Sequence, residues 1–441
     1  MQRLALRLAI VTLLLAGTVT AQRDYENVDP SGQTVTFWHQ HTGIRQEMLR
    51  EIVQDFNAGN SYGITLIEEN QGNYEDIFNK MLVLLGTADV PNLVVAYQNQ
   101  AATYQIVDGL IDLWPLVRSA RWGLDEADRS DFFEGFIQSD VNPTFGGALL
   151  GFPPNRSMEV MYYNSDWLEE LGFDGPPESP EAFAEAACAA LERPFAGATG
   201  GGRSLGYEVS LDASRFASWT FAFGGDIFDA ETGRYTLDDD GAIAAMTFLQ
   251  DLQDRGCIDI VTERFGDQTN FGQGRTLFTI GSSSGFPFYR EAVEAGATFD
   301  WSVDALPHTT AEPVMNIYGA SVSMPAGASA EQEVATWIFL QYYTSPEVQN
   351  RWARAANYFP VRESVADGMA DYFEADPAYE RAFSLLRFAR SEPPVPGYDF
   401  VRSLIAGEMA AILDGADVRA TLTAANEEAN AILDEQLAGM D

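Results

Sequence analysis

From residue 34 onward the chain alternates short apolar runs with amphipathic ones, and this order constrains the fold more than any other feature. Residues 34–39 (Thr-Val-Thr-Phe-Trp-His) read as a strand. Residues 46–56 then place Met48, Leu49, Ile52, Val53 and Phe56 at helical spacing, and Asn57-Ala58-Gly59-Asn60 ends that helix. A second strand is predicted over 64–68, a second helix over 75–85, and a third strand over 93–97. The third is nearly all apolar, as strands buried on both faces are. Such a βαβα order predicts an α/β fold with a mostly parallel sheet and right-handed crossovers.

At 441 residues the chain exceeds the size at which one core stops growing, so two or three domains are expected. Residues 149–164 are extended and aromatic and contain Pro153-Pro154, which cannot sit inside a helix. They read as a crossing between two lobes. Beyond them Ser165 is placed to cap a short helix ending at Gly172, and Ser179-Pro180 is a cap with proline at the first helical position. A helix is predicted over 238–255 and a strand over 277–281. The turn-rich stretch 307–313 is a second candidate crossing. Ser329 with Gln332 makes a capping box, Ser345-Pro346 opens another helix, and 421–437 is amphipathic.

The first twenty-one residues have Arg3 and Arg7, an apolar run of about ten residues, and the small residues Val19-Thr20-Ala21. They read as an export leader cleaved before Gln22, too short to span a bilayer. The leader holds two of the 26 basic residues and none of the 65 acidic ones, so the mature chain carries a net charge of about −41. Such a field excludes nucleic acid and anionic membrane surfaces as partners. Cys188 and Cys257 form an even pair in an exported chain, which suits one disulfide, with two buried thiols as the alternative.

Motifs for catalysis mostly fail. Gly197-Ala198-Thr199-Gly200-Gly201-Gly202-Arg203-Ser204 has the glycine spacing of a phosphate loop, but Arg203 replaces the lysine and no strand precedes it. His39 and His41 could share a strand face as metal ligands, yet His308 is the only other histidine. A secreted metal-binding protein is therefore a minor alternative. Three histidines leave little material for a Ser-His-Asp arrangement. A carboxylate pair for glycoside hydrolysis can be assembled from so many acids, which keeps a secreted glycoside hydrolase as the main enzymatic alternative.

Aromatic residues beside Gly, Asn, Ser or Gln offer another chemistry. Trp38, Tyr74, Tyr97, Trp219, Tyr318 and Tyr358 fit a polar ligand stacked on rings and held by hydrogen bonds. Taken singly, each ring is as well explained by a core.

Five segments occur in a fixed order: Phe37-Trp38-His39 with Phe56-Asn57-Ala58, Gly72-Asn73-Tyr74-Glu75, Met161-Tyr162-Tyr163-Asn164, Gly319-Ala320-Ser321-Val322, and Tyr358-Phe359-Pro360-Val361. In this order the chain resembles the extracellular solute-binding proteins of bacterial ABC importers, in the carbohydrate-binding branch that includes glycerol-3-phosphate-binding and maltose-binding members. The former are the nearer likeness, through Gly72-Asn73-Tyr74-Glu75 and Ser282-Ser283-Ser284-Gly285.

The resemblance implies a non-enzymatic protein of two α/β lobes joined by a hinge, enclosing a sugar, polyol or glycerol phosphate and delivering it to a membrane permease. No cofactor is implied, and a monomer is expected. The lobes implied are 33–146 with 316–361 and 147–315 with 362–441, with hinges near 147–155, 306–316 and 358–364. Carried over by motif, Tyr74, Ser157, Trp219, Ser284, Gly285, Gly319, Tyr358 and Arg402 line the cleft, joined by Trp38, His39 and Glu75 from the matching segments. Gln98 stands where those relatives have an acid, which puts a neutral sugar on a par with a phosphorylated ligand. An anion would need Arg402, Arg156 or Arg215 to offset the acidic field.

Overall fold

The computed structural model describes residues 23–263 and 265–440, so the expected leader lies outside the described residues. Two sheets organise the chain. The first has four strands in the order Ser321–Ser323, Leu93–Ala96, Thr34–His39, Thr65–Asn70. Its three early strands run parallel, and Ser321–Ser323 is antiparallel at one edge. Val35, Phe37 and all of Leu93–Ala96 are buried, as expected of inner strands covered on their faces. The helix Gly43–Gly59 covers this sheet with Leu49, Ile52, Val53 and Phe56, starting three residues before the predicted start at Gln46. Tyr74–Leu84 begins at a capping box in which Asn73 and Asp76 satisfy each other's backbone N–H.

The second sheet is mixed, in the order Ile258–Ile260, Leu205–Val209, Thr276–Ser282, Ser157–Asn164, Met315–Tyr318, Ala389–Ser391. Ser157–Asn164 is its spine: it pairs antiparallel with Thr276–Ser282 on one side, and with Trp301–Asp304 and then Met315–Tyr318 on the other. Each sheet has its own buried core, one holding Phe37, Phe56, Trp337 and Phe339, the other Tyr162, Phe183, Tyr207 and Trp219. The architecture is therefore α/β in two lobes, each a sheet flanked by helices.

The chain passes between the lobes at three places. Phe152 bridges to Val322 in the first sheet while Ser157 already pairs in the second. Met315–Tyr318 belongs to the second sheet and Ser321–Ser323 to the first, so the passage lies at Gly319-Ala320, after the turn-rich 307–313 stretch rather than in it. Tyr358 and Val361 pack in the first core, and Phe359 and Val365 in the second. Gly319 has φ +150°, and a Cβ there would stand 3.2 Å from the Arg156 Cα, so the close passage requires glycine.

Local chemistry follows the sequence closely, with one shift. The short helix Ser165–Leu171 is capped by Asn164, whose side chain accepts from the Trp167 N–H at 2.9 Å, not by Ser165. Cys188 and Cys257 are bonded, with Cα atoms 4.7 Å apart, tying the helix Pro180–Glu192 to the strand Ile258–Ile260.

Candidate ligand-binding cleft

A cleft of about 2020 Å³ lies between the lobes. Its position follows from strand direction. Arg45 follows the strand Thr34–His39, Tyr74 follows Thr65–Asn70, Tyr97 and Gln98 follow Leu93–Ala96, and Asp212 with Arg215 follow Leu205–Val209. Ligands in open α/β sheets bind beyond the carboxyl ends of parallel strands, where the next helix begins and its free N–H groups point outward.

Charge in the cleft is balanced toward acid: among the described lining residues eight carboxylates outnumber five arginines. Most of those arginines are already paired. Arg402 donates to Glu392 at 2.7 Å, to Asp212 at 3.2 Å and to the Ser214 hydroxyl at 3.0 Å. Burial opposes its charge, but Glu392 and Asp212 outweigh that and hold the guanidinium protonated. Arg215 contacts Glu159, which also accepts from the Tyr318 hydroxyl.

Arg45 differs. Its guanidinium lies 4.6 Å from the Tyr358 ring centre and 5.4 Å from that of Phe288. It donates to the Ala356 carbonyl at 3.0 Å and, across the cleft, to the Ser284 carbonyl. Tyr74 and Tyr97 meet with ring centres 4.8 Å apart. Burial pushes both hydroxyls above the ordinary tyrosine range, so they stay neutral donors and acceptors.

Of the residues singled out from sequence, Tyr74, Glu75, Gln98, Ser284, Gly285 and Arg402 line this cleft together. Tyr358 stands behind the Arg45 guanidinium. Ser157 and Gly319 are at the lobe crossings: the Ser157 hydroxyl donates to the Tyr318 carbonyl at 3.4 Å, and the Gly319 carbonyl accepts from Gln98 and Arg156, each at 3.3 Å. Gln98 is thus drawn into the crossing as well as the cleft. Trp38, His39 and Trp219 are outside the wall. Trp38 donates to Glu69 at 2.8 Å, and His39, fully buried, meets Glu68 at 2.6 Å. Trp219 is enclosed in the second core against Phe183, because every residue of its helix, Ala213–Ala222, is buried.

The sequence reading missed Arg45, Glu159, Asp212 and Glu392. A signal existed for Arg45 and Asp212, each just past the end of a parallel strand; Glu159 and Glu392 carry none. Among the described residues no three His, Cys, Asp or Glu side chains are grouped to hold a metal ion. His39 and His41 instead stack with ring centres 5.6 Å apart, and burial holds both below the ordinary histidine range, hence neutral.

Residues 51–381 match the family described as bacterial extracellular solute-binding protein. The chain belongs to that family. This solute-binding protein is 24% identical over 385 residues to the sn-glycerol-3-phosphate-binding periplasmic protein UgpB of Escherichia coli (strain K12), across 85% of this chain and 84% of the relative. In fold it is similar to UgpB from Mycobacterium tuberculosis, solved in complex with glycerophosphocholine, with a TM-score of 0.77 at 24% identity over 92% of this chain and 100% of that one. It is also similar to the cyclic alpha-maltosyl-1,6-maltose binding protein from Arthrobacter globiformis, with a TM-score of 0.76 at 20% identity over 91% and 99%. The solute-binding protein is the binding component of an ABC importer rather than an enzyme, and it works outside the cytoplasm. No helix among the described residues is long and apolar enough to cross a membrane.

Proposed function

We propose that this protein captures a neutral carbohydrate or polyol between its lobes and presents it, enclosed, to the membrane subunits of its importer. One observation carries this reading: the cleft arginines Arg215 and Arg402 are charge-paired with Glu159, Asp212 and Glu392, leaving donors and acceptors side by side without surplus positive charge. Hydroxyl groups need both, and the rings of Tyr74 and Tyr97 supply apolar faces for a sugar. Tyr74, Glu75, Gln98, Ser284, Gly285 and Arg402 are the contacts, divided between the lobes. Contacts from both lobes coexist only when the cleft is shut, so binding energy favours closure about the three crossings. The mature protein begins at Gln22, acts as a monomer in the periplasm or at the cell surface, and meets no nucleic acid.

A glycerol phosphate ester is the second reading, and Arg45 favours it. Its guanidinium has no carboxylate partner among the described residues and reaches the carbonyl of Ser284, which lines the cleft with it. The UgpB relatives take such a ligand by name.

Isothermal calorimetry with neutral mono- to trisaccharides, polyols, glycerol 3-phosphate and its diesters tests both. Binding of a saccharide or polyol supports the first reading, binding confined to phosphate esters replaces it with the second, and silence across the panel removes both.

A further inference from the structure

A buried ion pair forms part of the cleft wall on the second lobe. Glu159 belongs to the strand Ser157–Asn164 and Arg215 to the helix Ala213–Ala222, and the residues are 2% and 9% exposed. Burying two charges is expensive, and apolar residues of similar volume hold a core at least as well. Packing alone therefore does not account for the pair. Both residues line the cleft, and so does Tyr318.

The local hydrogen bonds leave particular atoms free. Arg215 donates from Nε to the Ser210 hydroxyl at 2.9 Å and meets Glu159 through Nη1, while its Nη2 has no protein partner among the described residues. Tyr318 gives its hydroxyl proton to Glu159, and its phenolic oxygen, which the Ser282 hydroxyl also faces, keeps a lone pair for another donor. Burial raises the Tyr318 pKa, which keeps that group a neutral phenol. A donor and an acceptor thus stand together, each fixed by the same carboxylate.

We infer that Glu159, Tyr318 and Arg215 form the specificity-determining subsite of the cleft and bind a neutral diol. Arg215 Nη2 donates to one hydroxyl oxygen of the solute and Tyr318 Oη accepts from the neighbouring hydroxyl. Glu159 is a positioning residue that orients both. A doubly ionised phosphate has no proton to offer Tyr318 and is repelled by Glu159, so the subsite discriminates against it. This assignment rests on the reading of the ligand as a neutral carbohydrate or polyol.

Calorimetry on the mature protein with maltose, trehalose, free polyols and monodeoxy analogues of whichever one binds tests it. The wild type binds at least one of the neutral compounds. Tyr318→Phe, which preserves the ring and the ion pair, weakens that binding about tenfold, and Glu159→Gln weakens it about 10- to 100-fold. The Tyr318→Phe loss disappears against the deoxy analogue that lacks the matched hydroxyl, a response that a merely structural role does not give. Unchanged affinity in both variants, with wild-type binding of the neutral compound intact, overturns the subsite and leaves the ligand class standing. No binding of any neutral compound, with binding of glycerol 3-phosphate, overturns both.

Discussion

Arg156 and Asp140 form a 2.8 Å ion pair where the chain first passes between the lobes, and each side chain is 2% exposed. The same carboxylate accepts from Ser321 at 2.6 Å and from Gln98 at 2.9 Å, and Arg156 also donates to the Gly319 carbonyl. Two of the three crossings are thereby pinned to one point. Asp140→Asn strands the Arg156 charge in the interior and is expected to cost about 3–5 kcal/mol of stability. Urea unfolding measures it, and a midpoint equal to that of the wild type contradicts the pinning.

Arg45 reaches from the first lobe to the Ser284 carbonyl on the second. Arg45→Ala removes that link and the stacking on Tyr358. The free protein should then open, seen as a larger radius of gyration in small-angle scattering, with ligand affinity down by about tenfold for the loss of roughly 1.4 kcal/mol. A scattering profile identical to that of the wild type argues against a latch.

The Cys188–Cys257 bond spans a sequence separation of 69. Chain entropy assigns such a loop about 4 kcal/mol of stabilisation. Replacing both residues with serine should lower the melting temperature of the second lobe, and reductant should have no further effect on the variant. Equal melting of oxidised and reduced wild type refutes this.

Asp399, on the helix Tyr398–Leu413 of the second lobe, accepts from Asn99 and Gln100 of the first. Burial pushes its carboxyl pKa upward, and the Gln100 amide, the Arg402 charge and the Asn99 amide only partly offset this. A raised acid binds its proton more tightly in the docked state than in free chain. Its contribution is therefore most favourable at acidic pH and declines as pH rises from roughly 4 through the raised value. Asp399→Asn should flatten that part of the pH–stability curve measured by thermal melting. A slope identical to wild type assigns the pH dependence elsewhere.

Most elements are legible in the sequence because each states its own local physics. The Thr34–His39 strand, the Ser179-Pro180 helix start and the Ser329–Gln332 capping box occur where apolar spacing and caps put them. Site residues are harder for a definite reason. Trp219 resembles a ligand-stacking ring in sequence, since Ser218 and Thr220 flank it, but those polar neighbours are buried with it: the Ser218 hydroxyl bonds to the Ser214 carbonyl within the helix. Arg402 with Asp212 and Glu392 is the opposite case, a cluster in which Asp212 lies 190 residues before Arg402 and shares no spacing with it. The first element of such a site can be guessed from strand ends. Its partners require the tertiary fold.

The strand Ser321–Ser323 completes a sheet whose other members lie within the first hundred residues. A chain threaded outward from its amino end thus exposes the open flank of Leu93–Ala96 until more than two hundred further residues have emerged. Closure of that sheet must wait for the late piece, and the inner strand keeps an unpaired edge meanwhile.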